Sequence, residues 1–246
     1  MAALPYDGVV VGHVDRPGVA RGALRECRLF SELDDATLDL VAGALRTRRF
    51  RRTETIFHAG DPGDALFIVV TGQVKITLPS DAGSEPAILT TVGPGGFFGE
   101  LALLDGAPRS ATAVALEAVE AAVLHRAAFD ELVDAQPVLR RALLVALAGE
   151  IRRLTAQVED LHFLDLPGRL ARHVLRSLGV GDELAPTGEG RLPWPYTQSE
   201  LAGMIGGSRQ SVNRLLADLV AEGLLRFDGD TLVVPDLGRL AAAVRR

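Results

Sequence analysis

The chain has 246 residues, 48% of them hydrophobic and 24% charged, with a formal net charge of −6 at pH 7. That balance suits a soluble globular protein of one or two domains and excludes a bulk electrostatic attraction to nucleic acid. The single cysteine, Cys27, excludes an internal disulfide, a cysteine-ligated zinc site and an iron–sulfur cluster built by one chain.

The N-terminus lacks a basic segment followed by a continuous apolar core, the pattern of a secretory leader. No apolar run approaches the roughly 20 residues that span a bilayer. The expected home is the reducing cytoplasm, with no membrane partner. Residues 1–22, rich in Gly, Val and Pro without periodicity, read as a mobile or loosely docked extension. Leu24–Phe30 and Asp34–Leu45 read as short helices, the second capped by Ser31 or Asp34. Arg46, Arg48, Arg49, Arg51 and Arg52 form a basic cluster. It reads as a solvated face, with a contact to acid on another protein as the alternative.

From Phe50 to His125 the texture is that of strands. Ile56-Phe57, Ala65–Val70, Gln73–Leu78, Ala87–Val92, Thr112–Leu116 and Ala121–Leu124 are short apolar runs between Gly, Pro and Asp clusters. Many short strands with tight turns predict a β-sandwich or jelly roll.

Within it, Phe97–Thr112 concentrates chemistry. Gly99 lets the backbone approach another group closely, having no Cβ. Leu101 begins a run that can make a helical turn, whose free N–H groups would face an anion. Arg109 offers a planar fork of donors for a phosphate, and Ser110 adds a hydroxyl. Glu100 would repel phosphate, and suits a ribose hydroxyl instead. One acid beside one phosphate clamp predicts a single nucleotide carrying one negative phosphate.

Pro137 opens a long helix. Leu144, Leu147, Ile151, Leu154, Val158 and Leu161 recur on it in alternating steps of three and four. With Glu150, Arg152, Arg153, Gln157, Glu159 and Asp160 as polar flanks, this predicts a seam between two copies. A seam so short needs support from other contacts. Thr155 lies one position beyond Leu154, where its hydroxyl could reach a base held in the adjacent β-roll. Pro167 stops the helix, Asp165 can cap the next one, and the domain boundary is expected here. Gly179–Gly190 reads as a loop.

Thr197-Gln198-Ser199-Glu200 has the form of a capping box, opening a helix through Leu201, Met204 and Ile205. Gly206-Gly207 makes the turn. Ser208 caps a second helix with Val212, Leu215, Leu216, Leu219 and Val220 on its apolar face. Arg209, Gln210, Asn213 and Arg214 lie off that face near its start, the arrangement of a helix-turn-helix DNA reader. Leu224–Phe227 and Thr231–Val234 predict a hairpin wing.

Gly99-Glu100-Leu101 followed by Pro108-Arg109-Ser110-Ala111-Thr112 resembles the phosphate-binding cassette of cyclic-nucleotide-binding domains, and the run Gly60–Lys75 resembles their β-roll. Phe163–Arg169 and Ser208–Arg214 resemble the hinge and recognition helix of the CRP/FNR family of bacterial regulators. The resemblance implies an α+β architecture: a cyclic-nucleotide-binding β-roll (23–136), a dimerisation helix (137–164) and a winged helix-turn-helix (165–246). It implies a homodimer on double-stranded DNA, with cyclic AMP as effector, no metal, no catalysis and RNA polymerase as a further partner. Gly99, Glu100, Leu101, Arg109, Ser110 and Thr155 would hold the nucleotide. Thr197, Ser208 and Ser211 would hold DNA phosphates, with Arg209 and Arg214 reading bases.

Two departures stand out. The best-known cyclic-AMP receptors carry glutamate at Gln210; glutamine can pair with adenine where glutamate accepts from cytosine. They also carry a hydroxyl residue at Leu154, so the choice of effector stays open between cyclic AMP, another nucleotide such as cyclic GMP or cyclic di-GMP, and none. A jelly-roll metalloenzyme is the remote alternative. It would need several converging His and carboxylate ligands, whereas His58 and His125 are far apart with no paired histidine near either. The remaining histidines, His13, His162 and His173, read as surface residues.

Overall fold

The structure, a computed structural model, describes residues 17–79, 86–180, 187–194 and 196–244. It divides into two compact units, Met1–Pro79 with Leu89–Ala148, and Ser80–Ile88 with Gly149–Arg246.

The chain begins with α1 (Pro17–Glu26) and α2 (Asp35–Ala44). Helix α1 starts inside the stretch that composition marks as an extension, and Pro17 suits its first turn because no N–H partner is needed there. Leu24 and Cys27, just past that stretch, are fully buried, and the helix expected over Leu24–Phe30 instead ends at Glu26, with turns following; residues 1–16 lie outside the described residues. Burial pushes the Cys27 thiol up to about 11, which keeps it an inert apolar side chain. Asp34, not Ser31, caps α2, accepting from Thr37 N at 2.8 Å.

Eight strands follow: β1 (Arg46–Phe50), β2 (Thr55–Phe57), β3 (Ala65–Thr71), β4 (Val74–Leu78), β5 (Ala87–Val92), β6 (Phe97–Phe98), β7 (Thr112–Ala115) and β8 (Val119–His125). They form two four-stranded sheets, ordered β1-β8-β3-β6 and β2-β7-β4-β5. The alternation of side chains across a strand explains the layering. Ala65, Phe67 and Val69 of β3, with Val119, Ala121 and Val123 of β8, point into the core between the sheets. Leu66 and Ile68, with Ala122 and Leu124, point the other way, onto the helices. Strands β3 and β8 are therefore apolar on both faces, and read as unbroken hydrophobic runs.

The basic cluster is an edge strand. Strand β1 pairs only with β8 in its sheet, setting Arg49 directly opposite Glu120, and Arg49 Nε lies 2.9 Å from Glu120 Oε2. Charged side chains on an edge discourage pairing with other chains.

Helix α3 (Glu100–Asp105) lies between β6 and β7, and α4 (Arg126–Ala135) follows β8. Next comes α5 (Pro137–Phe163), within which the two units divide. Its first half buries Leu139 and Leu143 in the helical layer.

In the second unit, α6 (Leu166–Ser177) is capped by Asp165, which accepts from Gly168 N at 2.9 Å. Asp160 is not a solvated flank of the seam. It is buried, with its carboxylate 2.5 Å from Arg176 and 3.6 Å from Arg172 of α6, bracing the elbow between α5 and α6. Strand β9 (Gly190–Pro193) emerges from the predicted loop, of which residues 181–186 are outside the described ones. Then come α7 (Gln198–Ile205), α8 (Arg209–Ala221), β10 (Arg226–Asp228), β11 (Thr231–Val234) and α9 (Leu237–Val244). The sheet order β10-β11-β9 adds a third strand to the predicted hairpin. Leu224 and Leu225, expected in the wing, are buried in the core before β10 begins.

His173 is not a surface residue. Its Nε2 is closed off without a hydrogen-bond partner, and its ring packs edge-on to Tyr196 at 6.2 Å. Burial, reinforced by the Arg176 charge, pulls its pKa down to about 4, so it stays neutral near pH 7.

Candidate functional site

Helix α3 sits between two glycines in the left-handed conformation that side chains with a Cβ rarely adopt. Gly99 has φ +85° and Gly106 φ +72°. A Cβ on Gly99 would lie 2.6 Å from Arg109 Nη1 and 3.2 Å from Ala65 O. The glycine is there because the guanidinium lies against the backbone.

Arg109 is the centre of this site and is only 5% exposed. Nη1 donates to Gly99 O at 2.6 Å and Nη2 to Ala65 O at 2.8 Å. Its Cζ stands 4.3 Å from the centre of the Phe57 ring and 5.8 Å from that of Phe67, within cation–π range. Burial pulls its pKa below the usual guanidinium value, and the Asp64 and Glu100 carboxylates pull it back. It remains charged, and its Nε is buried with no hydrogen-bond partner among the described residues. A buried charged donor held in place yet incompletely satisfied is a group arranged to meet an anion.

The backbone fixes Arg109 as firmly. Its N–H donates to Asp61 O and its C=O accepts from Gly60 N, both at 2.8 Å. Ser110, next to it, is exposed, and Ala111 is buried just before β7. Glu100 is the first residue of α3, half-buried and close enough to act on the Arg109 charge. Leu101, beside it, is exposed. The structure thus brings Gly99, Glu100 and Arg109 together, with Ser110 at the rim.

Helix α5 carries the remaining candidate. Thr155 is exposed, and its Oγ1 donates to Ile151 O at 2.9 Å. Its acceptor lone pairs stay available. Along the same helix Leu144, Ile151, Val158 and Leu161 are exposed, and Leu147 is half-buried.

In the second unit Thr197 and Glu200 make the capping box in both directions: Glu200 N donates to Thr197 Oγ1, and Thr197 N to Glu200 Oε2. Gly206 turns the chain at φ +70°. Ser208 caps α8, accepting from Ser211 N at 3.1 Å. Val212, Leu216 and Leu219 anchor α8, whereas Val220, expected on that face, is exposed. Arg209, Gln210, Ser211, Asn213 and Arg214 are all exposed on one side near its start. Asn213 Oδ1 accepts from Gln198 Nε2 at 2.9 Å, tying α8 to α7. Thr197, Gln198, Ser199 and Arg209 line a surface cleft of ≈ 470 Å³. Hydroxyls, helix N-termini and arginines gathered at one place are the groups that hold DNA backbone and base edges.

The cyclic nucleotide-binding domain family matches residues 47–136, and the Crp-like helix-turn-helix domain family matches residues 168–243. A CRP-like cAMP-activated global transcriptional regulator of Mycobacterium tuberculosis is 33% identical over 222 residues, covering 90% of this chain and 98% of that protein. The chain belongs to the CRP/FNR family of transcription regulators. Two solved structures are similar over most of their length. The c-di-GMP-responsive global regulator CLP of Xanthomonas campestris matches with TM-score 0.67 and 28% identity, covering 82% of this chain and 99% of that one. A CRP/FNR-family transcriptional regulator of Thermus thermophilus matches with TM-score 0.65 and 27% identity, again covering 82% and 99%.

As a CRP/FNR regulator the chain pairs a cyclic nucleotide-binding domain with a DNA reader, and the α+β architecture expected from the resemblance is the one observed. Among the described residues no group of three or more His, Cys, Asp or Glu could hold a metal ion, and no helix is long and apolar enough to cross a membrane. One residue bonded to the cassette from α4 carries no mark in the sequence: Arg126, whose side chain bonds to carbonyl groups of α3 and of the loop before β3. Carbonyls belong to every residue type, so no spacing of side chains announces such a contact.

Proposed function

We propose that the protein is a cytoplasmic, homodimeric regulator that binds operator DNA in response to cyclic AMP. The observation that carries this reading is the buried Arg109 guanidinium, held by Gly99 and Ala65 with Nε unpartnered, beside the Glu100 carboxylate. In this reading Arg109 and Ser110 hold the cyclic phosphate, with Gly99 and Leu101 letting the backbone approach it. Glu100 accepts from the ribose hydroxyl. Thr155, whose hydroxyl proton is already engaged by Ile151 O, offers an acceptor that suits the exocyclic amine of adenine and not the carbonyl of guanine.

The nucleotide shifts the protein toward its DNA-competent arrangement only by binding that arrangement more tightly. The exposed apolar row on α5 packs against its counterpart in a second copy, setting two recognition helices about one helical turn of DNA apart on an inverted repeat. Thr197, Ser208 and Ser211 hold phosphates, Arg209 and Arg214 read guanines, and Gln210 favours adenine at its position. Asn213 positions α8 through Gln198. RNA polymerase is the further partner that a family member of this kind engages, and no step requires catalysis or a metal. The functional parts are the sensor at 23–136, the dimerisation helix at 137–164 and the reader at 165–246.

The likeness to a c-di-GMP-responsive regulator, together with Leu154, motivates a second reading with the same DNA function and a cyclic dinucleotide effector. Calorimetric titration of the full chain with cyclic AMP, cyclic GMP and cyclic di-GMP separates the two. Saturable heat at one cyclic AMP per chain is expected; no heat with cyclic AMP and saturation by cyclic di-GMP would overturn the first reading in favour of the second.

A further inference from the structure

The first residue of α4 makes four hydrogen bonds to two separate backbone pieces, the loop before β3 and α3. The Arg126 backbone N–H donates to Asp64 O at 2.8 Å. Its Nη2 donates to Gly63 O at 2.8 Å and to Ala102 O at 2.7 Å, and its Nη1 to Leu103 O at 3.1 Å.

Ala102 and Leu103 lie in the last turn of α3, where backbone carbonyls run out of helical partners; Ala102 O accepts from the cap residue Gly106 N at 3.2 Å as well as from Arg126. A cation there also sits at the negative end of the helix dipole. Such a short helix, six residues bounded by two left-handed glycines, has little stability of its own. Arg126 is therefore the side chain that, with the Gly106 backbone N–H, holds its C-terminal end.

The same guanidinium fixes the loop against α3. A Cβ on Gly63 would stand 2.3 Å from Ala102 Cβ and 3.1 Å from Arg109 Cζ. The loop, α3 and the Arg109 fork are thus in direct contact, and Arg126 clamps the two backbone pieces from the side. At the other end of α3, Gly99 O is held by Arg109 itself. One arginine faces the ligand site and one closes the cassette behind it.

We propose that Arg126 is a positioning residue of the nucleotide site, setting effector affinity by ordering α3 and loop 60–64 without touching the effector. The proposal rests on the cyclic-nucleotide reading of the cassette. The test compares the wild-type chain with Arg126→Gln and Arg126→Lys in two measurements. Calorimetry with cyclic AMP reads affinity, and hydrogen exchange on the ligand-free protein reads order in segment 99–106.

Arg126→Gln is expected to weaken cyclic AMP binding about tenfold or more, the loss of charge-assisted bonds to buried carbonyls. It is expected to speed exchange in segment 99–106 by about tenfold while β3, β8 and the C-terminal unit keep wild-type protection. Arg126→Lys, which keeps the charge but not the fork, is expected to fall between the two. Should Arg126→Gln fail to fold, the lysine variant carries both measurements alone. Unchanged exchange in segment 99–106, or a uniform rise throughout the β-roll, overturns the proposal. So does cyclic AMP affinity within twofold of wild type. Wild-type protein silent toward cyclic AMP would defeat the effector reading, and the exchange measurement would still decide the role of Arg126.

Discussion

Arg109→Gln is expected to weaken cyclic AMP binding by about 100-fold or more, measured by calorimetry on the full chain. The magnitude reflects the chemistry that the residue loses. A guanidinium can meet a phosphodiester with two parallel charge-assisted bonds, and a neutral amide offers one weaker donor group without the charge. The burial of Arg109 strengthens the effect, because charge attraction is less screened there than at the surface.

The same substitution costs stability. Gly99 O and Ala65 O lose their donor, and leaving buried carbonyls unmade costs about 1–3 kcal/mol. The β-roll should therefore melt lower while DNA affinity without nucleotide stays near wild type. Arg109→Lys separates charge from geometry: it keeps the cation, lacks the fork, and should recover only part of the affinity. Full cyclic AMP affinity in Arg109→Gln would show that the phosphate lies elsewhere.

Ile151→Glu combined with Val158→Glu is expected to turn the dimer into monomers, read by sedimentation equilibrium. The two residues are 65% and 53% exposed, stand seven positions apart, and share the row with Leu144 and Leu161. At such a seam each glutamate meets its own counterpart, so like charges are desolvated against one another. That costs several kcal/mol per interface, enough to raise the dissociation constant by about a thousandfold. Affinity for an inverted repeat should collapse with it, because a single recognition helix reads one half-site. The isolated protomer should keep its melting temperature, since neither residue belongs to a core. Persistence of the dimer would place the interface on another surface.

Those two residues show what periodicity makes legible. An alternating apolar row is visible in sequence because a seam between two copies would impose one spacing on it, and Gly99, Arg109 and the Thr197–Glu200 box are visible for a similar reason: each needs one residue type at one place. The strands β3 and β8 announce themselves through burial on both faces. Strand β1 does not, since its only buried residue is Phe50 and its arginines look outward. Helix α4 has no side-chain cap at His125, so no start signal marks it, and its apolar row of Phe129, Leu132 and Val133 is short. Composition hides α1 for a different reason: tertiary packing of Ala23 and Leu24 outweighs the poor helix propensity of its glycines. Asp160 and His173 are indistinguishable from surface groups in the sequence because only the α6 arginines and the Tyr196 ring, distant along the chain, define their surroundings.

The coupling of nucleotide capture to DNA reading is open to one direct measurement: fluorescence anisotropy of a labelled inverted-repeat operator, titrated with the full chain without and with saturating cyclic AMP. Operator affinity should rise about tenfold or more with the nucleotide, and by reciprocity operator should tighten cyclic AMP binding by the same factor. Equal operator affinity in the two titrations would contradict it.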